Sequence, residues 1–217
     1  MFVYLHGFAS SPQSAKARAF ARHFAARGVP LEIPALDEGD FEHLTLSRQL
    51  QVIERTLGAA PQPHVLIGSS MGGYLAALHA SRHPVAALVL MAPAVDLAAR
   101  WRAGTSVSDF EAWERTGATL VDHHATGQRR RLSFELARDA LLHAPWPKLH
   151  APALVFQGTR DAVVPLAAVE RWVAQTPSAT LVTLDTDHAM AEVTERMAEE
   201  ALRFLSSIPD VAPHIGR

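Results

Sequence analysis

The sequence predicts an α/β protein in which a mostly parallel sheet of about six strands carries helices on both faces. Short apolar runs alternate along the chain with longer segments of helical period, and this alternation is typical of strand–helix–strand units. The apolar runs are continuous, as expected for strands buried on both faces. A chain of 217 residues with 48% hydrophobic and 19% charged side chains can bury one core. We therefore expect residues 1–217 to form a single domain.

The predicted strands are six short apolar runs. In chain order they are Phe2–Leu5, Leu31–Ile33, His64–Ile67, Ala87–Met91, Ala153–Phe156 and Thr180–Leu184. The predicted helices are Ser14–Arg27, Leu44–Leu57, Met71–Arg82, Leu166–Gln175 and Ala189–Ser206. Three of these helices should stop at Gly28, Gly58 and Pro84, because glycine and proline commonly end helices.

One segment interrupts the alternation of strands and helices. About 55 residues separate Met91 from Ala153, whereas a simple crossover between strands needs far fewer. The segment from about residue 96 to 150 holds three of the four tryptophans and a polar stretch, Ala125–Arg131. We expect this insertion to form a small helical cap over the carboxyl edge of the sheet, where ligands bind in open α/β folds.

Composition excludes several classes of function. Twenty Lys and Arg residues against 22 Asp and Glu residues give a formal net charge of -2, which does not predict binding to nucleic acid or an anionic membrane. The absence of cysteine excludes disulfides, thiolate metal sites and a cysteine nucleophile. No apolar run reaches the roughly 18 residues of a membrane span, and the first residues lack the features of a secretory signal. We expect a cytoplasmic protein that acts on small molecules.

A strand that runs through a tight turn into a helix gives the clearest chemical signal. The apolar run ends in Gly68-Ser69-Ser70-Met71-Gly72-Gly73, a G-x-S-x-G pattern followed by a helical segment. Such a nucleophile elbow holds its central serine in a strained turn, and the flanking glycines keep Cβ atoms out of it. We therefore predict that Ser70 is a nucleophile. The backbone N–H of Met71 is expected to donate to the oxyanion that forms in acyl transfer.

A serine nucleophile needs a histidine base, and the base needs a carboxylate that fixes its tautomer. Among 12 histidines, His188 fits best because it directly follows the last predicted strand. Three aspartates are candidates for the acid. Asp161 lies beyond the fifth strand and a glycine turn, Asp96 lies beyond the fourth strand, and Asp187 precedes His188. Neighbouring side chains seldom meet in the required geometry, so Asp187 is better interpreted as a loop residue.

Three motifs resemble the small bacterial YqiA-like esterases of the α/β-hydrolase superfamily. The first is the opening segment, Val3-Tyr4-Leu5-His6-Gly7-Phe8-Ala9-Ser10-Ser11-Pro12 followed by Lys16. The second is the Gly-Ser-Ser-Met-Gly-Gly elbow, and the third is the pair of loops that carry Asp161 and His188. The resemblance covers nearly the whole chain and implies a three-layer α/β-hydrolase fold.

The resemblance also implies roles for residues that the motifs alone leave open. It makes Asp161 the acid and the backbone N–H of Phe8 the second oxyanion donor. His6 would shape the loop rather than transfer protons. These relatives usually carry a glycine two residues before the histidine, where this chain has Thr186.

The predicted function is a serine esterase, that is, a carboxylic ester hydrolase with a Ser70, Asp161 and His188 triad and an oxyanion hole formed by Phe8 and Met71. It would cleave short- to medium-chain acyl esters through an acyl-enzyme, without a cofactor or a metal. The alternatives are a thioesterase or lysophospholipase with the same triad, and a hydrolase-like binding protein without turnover. The adjacent His123 and His124 have no carboxylates at ligand spacing, which favours solvated polar residues over a metal site.

Overall fold

The computed structural model describes residues 1–58, 60–104 and 107–216. The strands of the described chain are β1 (Phe2–Leu5), β2 (Leu31–Glu32), β3 (Val65–Ser69), β4 (Ala87–Met91), β5 (Ala118–His123), β6 (Gln128–Ser133), β7 (Ala153–Gly158) and β8 (Ala179–Leu184). Six of them form the main sheet in the spatial order β2-β1-β3-β4-β7-β8. All neighbouring strands in this sheet run parallel. The predicted parallel α/β sheet is confirmed.

Helices cover both faces of the main sheet. They are α1 (Ala15–Ala25), α2 (Leu46–Leu57), α3 (Met71–Ala80), α4 (Leu97–Gly104), α5 (Val107–Thr116), α6 (Glu135–Ala140), α7 (Leu166–Ala174) and α8 (Thr194–Ser206), with a short 3-10 turn at Ala212–His214. Successive strand residues point to opposite faces, and the core accordingly divides into two clusters. One cluster joins the sheet to α2, α3 and α7, and the other joins it to α1 and α8.

The central strand β3 is buried along its whole length, and it leads directly into α3, whose residues are all buried. Val65 and Ile67 face the α1 and α8 side, whereas Leu66 faces the α2 and α3 side. A continuous apolar run on a strand buried on both faces explains why no polar–apolar alternation is visible in the sequence. The strand and helix together form a rigid base for the turn at Ser70.

In the described residues, the insertion between β4 and β7 is largely helical, as predicted, and it also contains one element that the prediction did not include. The helices are α4, α5 and α6, and the added element is an antiparallel hairpin of β5 and β6. Gly127, with φ of 66°, lies in the hairpin turn, a conformation that glycine adopts without steric cost. The hairpin is largely exposed and polar, so it lacks the apolar run that identifies a buried strand in a sequence.

An aromatic cluster holds the insertion together. The rings of Phe110 and Phe134 lie edge-on to Trp113, with centroids 6.0 and 5.1 Å away. The indole N–H of Trp113 donates to the carbonyl of Leu132 on β6 at 3.1 Å. Trp101 joins the cluster and also faces the cavity described below. None of the described helices has the length and apolar character that crossing a membrane requires.

Candidate active site

Ser70 occupies a strained turn between β3 and α3. Its φ of 53° and ψ of -118° lie outside the regions that residues with a Cβ normally adopt. The turn is held by backbone hydrogen bonds, since the N–H of Ser70 donates to the carbonyl of Met91, and the carbonyl of Ser70 accepts from Tyr74 and Ala94. Strain of this kind persists only where the surroundings hold it in place, and it is typical of functional sites.

The glycines around Ser70 are required by space. A Cβ on Gly68 would lie 2.4 Å from the carbonyl oxygen of Gly72, and a Cβ on Gly72 would lie 2.1 Å from that of Leu5. Both separations are shorter than any real contact of a Cβ atom. The G-x-S-x-G pattern therefore follows from close backbone approach between β1, β3 and the first turn of α3.

A chain of hydrogen bonds joins Ser70, His188 and Asp161. The Nε2 atom of His188 lies 3.0 Å from Ser70 Oγ, and its Nδ1 atom lies 2.8 Å from Asp161 Oδ2. Because a carboxylate can only accept, Nδ1 carries the proton and Nε2 is free to accept the hydroxyl proton of Ser70. The two side chains come from loops at the carboxyl ends of β7 and β8. Three residues far apart in sequence thus meet at one edge of the sheet.

Asp161 is the most completely bonded carboxylate at this edge. Its Oδ1 accepts the backbone N–H groups of Val163 and Val164, both at 2.8 Å, and its Oδ2 accepts the side-chain amide of Gln157 at 3.0 Å as well as His188. Burial raises the pKa of Asp161, but the bonds from His188 and the two backbone amides outweigh burial and hold that pKa below its usual value. Asp161 is therefore an anion at neutral pH.

The two rival aspartates make other contacts, although Asp187 also lines the cavity of Ser70. Asp187 Oδ1 accepts the backbone N–H groups of Ala189 and Met190, so it caps the turn that follows His188. Asp96 has a positive φ of 55° and lines a second cavity, of about 390 Å³, beneath α4. Of the three candidate acids, the structure brings Asp161 to the Nδ1 atom of His188.

Two backbone N–H groups beside Ser70 have no acceptor within the described ranges. They belong to Phe8 and Met71, and both residues line the same cavity as Ser70. Met71 is the first residue of α3, where the helix dipole favours an anion. Phe8 follows Gly7, which lies against the turn: a Cβ there would be in ordinary van der Waals contact with the carbonyl oxygen of Ser69, at 3.4 Å. The two predicted oxyanion donors therefore border one cavity.

His6 and Thr186 each support a loop of the site. Burial lowers the pKa of His6, so its ring is neutral. Its Nε2 accepts the backbone N–H of Leu36, which leaves the proton on Nδ1 to donate to the carbonyl of Gly7 at 3.0 Å. Thr186 is fully buried, has no positive φ, and donates its hydroxyl to Glu192 at 2.8 Å. A glycine is therefore not needed at position 186.

The cavity at Ser70 has a volume of about 990 Å³. Its apolar wall includes Phe8, Leu97, Trp101 and Val163, so the predicted cap contributes to the site through α4. Its polar lining comes partly from α1 and the segment before it, and partly from Arg100, His124, Arg160 and Asp187. The α1 part includes a lysine that the predicted site did not contain. The sequence signal for this lysine, Lys16, was its place just after the opening motif.

Two histidines and a glutamate form one possible metal-ligand cluster within the described chain. Glu54, His79 and His83 each offer a ligand atom, and these atoms lie within 4.8 Å of one another. The cluster joins α2 to the far end of α3 and is separate from the cavity at Ser70. The pair considered in the sequence, His123 and His124, is not part of this cluster. The expectation that both are solvated is wrong for His123, which is buried against Phe41 with ring centroids 4.6 Å apart, whereas His124 is exposed.

Comparison with solved structures shows that the chain has an α/β-hydrolase fold. It is similar to alpha/beta hydrolase domain-containing protein 10 from mouse, with a TM-score of 0.76 and 21% identity over 92% of this chain and 85% of that one. It is also similar to Est1E from Butyrivibrio proteoclasticus, solved with ferulic acid, with a TM-score of 0.72 and 22% identity over 94% of this chain and 89% of that one. It is similar as well to a pyrethroid hydrolase from Sphingobium faniae JZ-2, with a TM-score of 0.66 and 18% identity over 95% of this chain and 97% of that one.

The chain itself belongs to the family described as uncharacterised protein family UPF0227, whose model matches residues 1–206. This is the YqiA-like family that the motifs around Phe8 and Ser70 indicated. A sequence search of curated proteins gives no match.

Proposed function

We propose that this protein is a serine esterase that cleaves short- to medium-chain acyl esters through an acyl-enzyme. The observation that carries the proposal is the continuous hydrogen-bond chain from Ser70 Oγ through His188 to Asp161, at 3.0 and 2.8 Å, beside a cavity of about 990 Å³. A serine with an oriented histidine and a buried carboxylate is the arrangement that makes a hydroxyl nucleophilic.

In the first half of the reaction, Ser70 Oγ forms a bond to the ester carbonyl carbon while its proton passes to His188 Nε2. The carbonyl oxygen becomes an oxyanion that the N–H groups of Phe8 and Met71 stabilise, each such donor being worth ~10²–10³ in rate. Asp161 stabilises the imidazolium through Nδ1. The carbon–oxygen bond to the alcohol then breaks, and Nε2 returns the proton to the departing alcohol.

In the second half, water takes the place of the alcohol. His188 Nε2 accepts a proton from the water as its oxygen attacks the acyl carbon, and a second oxyanion occupies the same pair of backbone donors. The bond to Ser70 Oγ breaks, Ser70 recovers its proton from His188, and the carboxylic acid leaves. Ser70 and His188 are the only residues that have to move a proton in this mechanism.

The apolar wall formed by Phe8, Leu97 and Trp101 supports an acyl group of short to medium length. A thioester would react through the same residues, because the leaving group alone differs. A panel of 4-nitrophenyl and coenzyme A esters of graded chain length separates these substrates. Lack of turnover across the whole panel would favour the binding-protein alternative.

Labelling with a fluorophosphonate probe tests the nucleophile. We expect the wild-type protein to react once, at Ser70, and Ser70→Ala to abolish labelling. Ser69→Ala is the matched control, since Ser69 neighbours the nucleophile but its hydroxyl bonds Lys16 rather than His188. Labelling of Ser70→Ala at the wild-type rate would refute the assignment.

A further inference from the structure

Lys16 brings a positive charge to the cavity that holds Ser70. It lies in the first turn of α1, lines the cavity, and donates from Nζ to Ser69 Oγ at 3.1 Å. An ammonium carries three donors, and Ser69 Oγ is the one acceptor that Nζ contacts in the part of the chain that the structure describes. Two N–H donors of Lys16 are thus available to a ligand in the cavity that Ser70 also lines.

The carboxylates nearest to Lys16 are committed to other groups. Asp161 accepts four donors, as described above, and Asp187 accepts two backbone amides. Within the described ranges, neither forms an ion pair with Lys16. Burial lowers the pKa of Lys16 to about 8, although Asp161 and Asp187 oppose this effect, so most of the lysine is charged at pH 7. A partly desolvated ammonium without an anionic partner is unfavourable unless a ligand supplies the anion.

A second cation lines the same cavity. The guanidinium of Arg100 donates to the carbonyls of Val95 and Val163, at 2.8 and 2.7 Å, and among the described residues it contacts no carboxylate. Arg160, by contrast, is paired with Asp185 at 2.8 Å. The cavity therefore combines apolar side chains, among them Leu97 and Trp101 of α4, with the charges of Lys16 and of Arg100, which also lies on α4. In the described chain no carboxylate forms an ion pair with either cation, although the charge of Asp161 raises the pKa of both.

Tyr4 completes the polar end. Its side chain is buried yet reaches the cavity beside Ser69 and Lys16. Burial raises the pKa of Tyr4, so its hydroxyl keeps its proton. A neutral hydroxyl and a charged ammonium at the same end suit a planar carboxylate, which accepts both kinds of donor.

We propose that Lys16 binds a carboxylate of the substrate, so that the preferred substrates are esters whose acyl part carries a free carboxylate. The inference rests on the proposed function, because the site it describes is the substrate cavity of that esterase. Lys16 is a binding residue that determines specificity, and it takes no part in the proton transfers of Ser70 and His188.

The kinetic test compares two esters of the same leaving group. Mono-4-nitrophenyl glutarate carries a free carboxylate, and 4-nitrophenyl pentanoate has the same chain length without it. We expect kcat/KM of the wild type to favour the glutarate, and Lys16→Met to reduce this ratio about 10- to 100-fold, the size of a charge-assisted hydrogen bond. The loss should lie mainly in KM. Lys16→Arg should restore part of the ratio.

The control variant is Lys148→Met, which removes the charge of an exposed lysine outside the cavity. It should leave the ratio unchanged. An equal loss of kcat/KM for both esters in Lys16→Met would show a structural role and overturn the proposal. So would equal rates of the two esters in the wild type.

A binding measurement separates failure of this inference from failure of the proposed function. Free glutarate should slow fluorophosphonate labelling of Ser70 in the wild type, the uncharged diamide of glutarate should not, and Lys16→Met should abolish the protection. Labelling of Ser70 without protection by glutarate overturns the role of Lys16 alone. Absence of labelling overturns the proposed esterase and the inference with it.

Discussion

Replacing Asp161 by asparagine tests the tautomer that the site imposes on His188. All four contacts of the Asp161 carboxylate are donors, so its two oxygens serve only as acceptors. An asparagine offers one oxygen and one NH₂ group. If the oxygen keeps the backbone N–H groups of Val163 and Val164, the NH₂ group faces His188 Nδ1 and the amide of Gln157.

This exchange reverses the direction of one hydrogen bond. His188 Nδ1 must then accept, which places the ring proton on Nε2, where it faces Ser70 Oγ at 3.0 Å. A protonated Nε2 cannot take the hydroxyl proton of Ser70. The corresponding change of tautomer in serine hydrolases lowers kcat about 10⁴-fold, which is about 5 kcal/mol of transition-state stabilisation.

The assay is steady-state hydrolysis of a 4-nitrophenyl ester, with thermal unfolding of each variant as a check on folding. Asp187→Asn is the matched control, since its oxygen can still accept from Ala189 and Met190, and its activity should stay close to the wild type. A folded Asp161→Asn variant that retains a tenth or more of wild-type kcat would refute the reasoning. Equal losses in the two variants would do the same.

Two further predictions concern the turn and the lysine. Gly72→Ala should lower the free energy of unfolding by about 3 kcal/mol in a denaturant titration, because its Cβ would lie 2.1 Å from the Leu5 carbonyl oxygen. Gly127→Ala, with open space but a φ of 66°, should lower it by only ~1 kcal/mol, and similar losses in the two variants would contradict the steric argument. The preference for mono-4-nitrophenyl glutarate over 4-nitrophenyl pentanoate should fall as the pH rises through about 8, since Lys16 loses its proton there. A ratio of the two kcat/KM values that stays constant from pH 7 to 9.5 would contradict the assignment of the charge to Lys16.

The buried strands could be predicted from sequence because each is a continuous apolar run between turn residues. β1 and β4 begin and end where expected. Helix α2 begins two residues later than expected, because Thr45 caps it by accepting the N–H of Arg48 at 3.1 Å. From sequence alone, a capping threonine cannot be distinguished from a residue on the polar face of the helix, because the difference lies in its backbone angles.

Helix α8 differs more from its prediction. It was expected from Ala189, but it begins at Thr194. Asp187 caps the turn at Ala189 and Met190, and Met190 has a φ of 52°, which no α-helix allows. These residues shape the loop that presents His188. The capped turn and the positive φ of Met190 therefore delay the helix that apolar periodicity alone would start earlier.

The predicted site residues were accessible from sequence for a related reason. Ser70 and His188 stand next to predicted strands, and Asp161 follows a strand and a glycine turn, so chain order could nominate them. Lys16 was named only as part of a motif, because its contact with Ser69 spans 53 residues and depends on how α1 lies across the sheet. Gln157, which bonds Asp161, was likewise hidden within a strand.

The strands that present the three residues differ in how well they are protected. Ser70 follows β3 at the centre of the sheet, whereas His188 follows β8, a half-exposed strand at the edge with a neighbour on one side only. Edge elements open locally at a lower free energy than the core does. We therefore expect mild denaturation to release His188, the proposed base, while the strained turn and Ser70 stay in place. Loss of the proposed esterase activity would then report local opening of the β8 edge of the sheet rather than global unfolding of the protein.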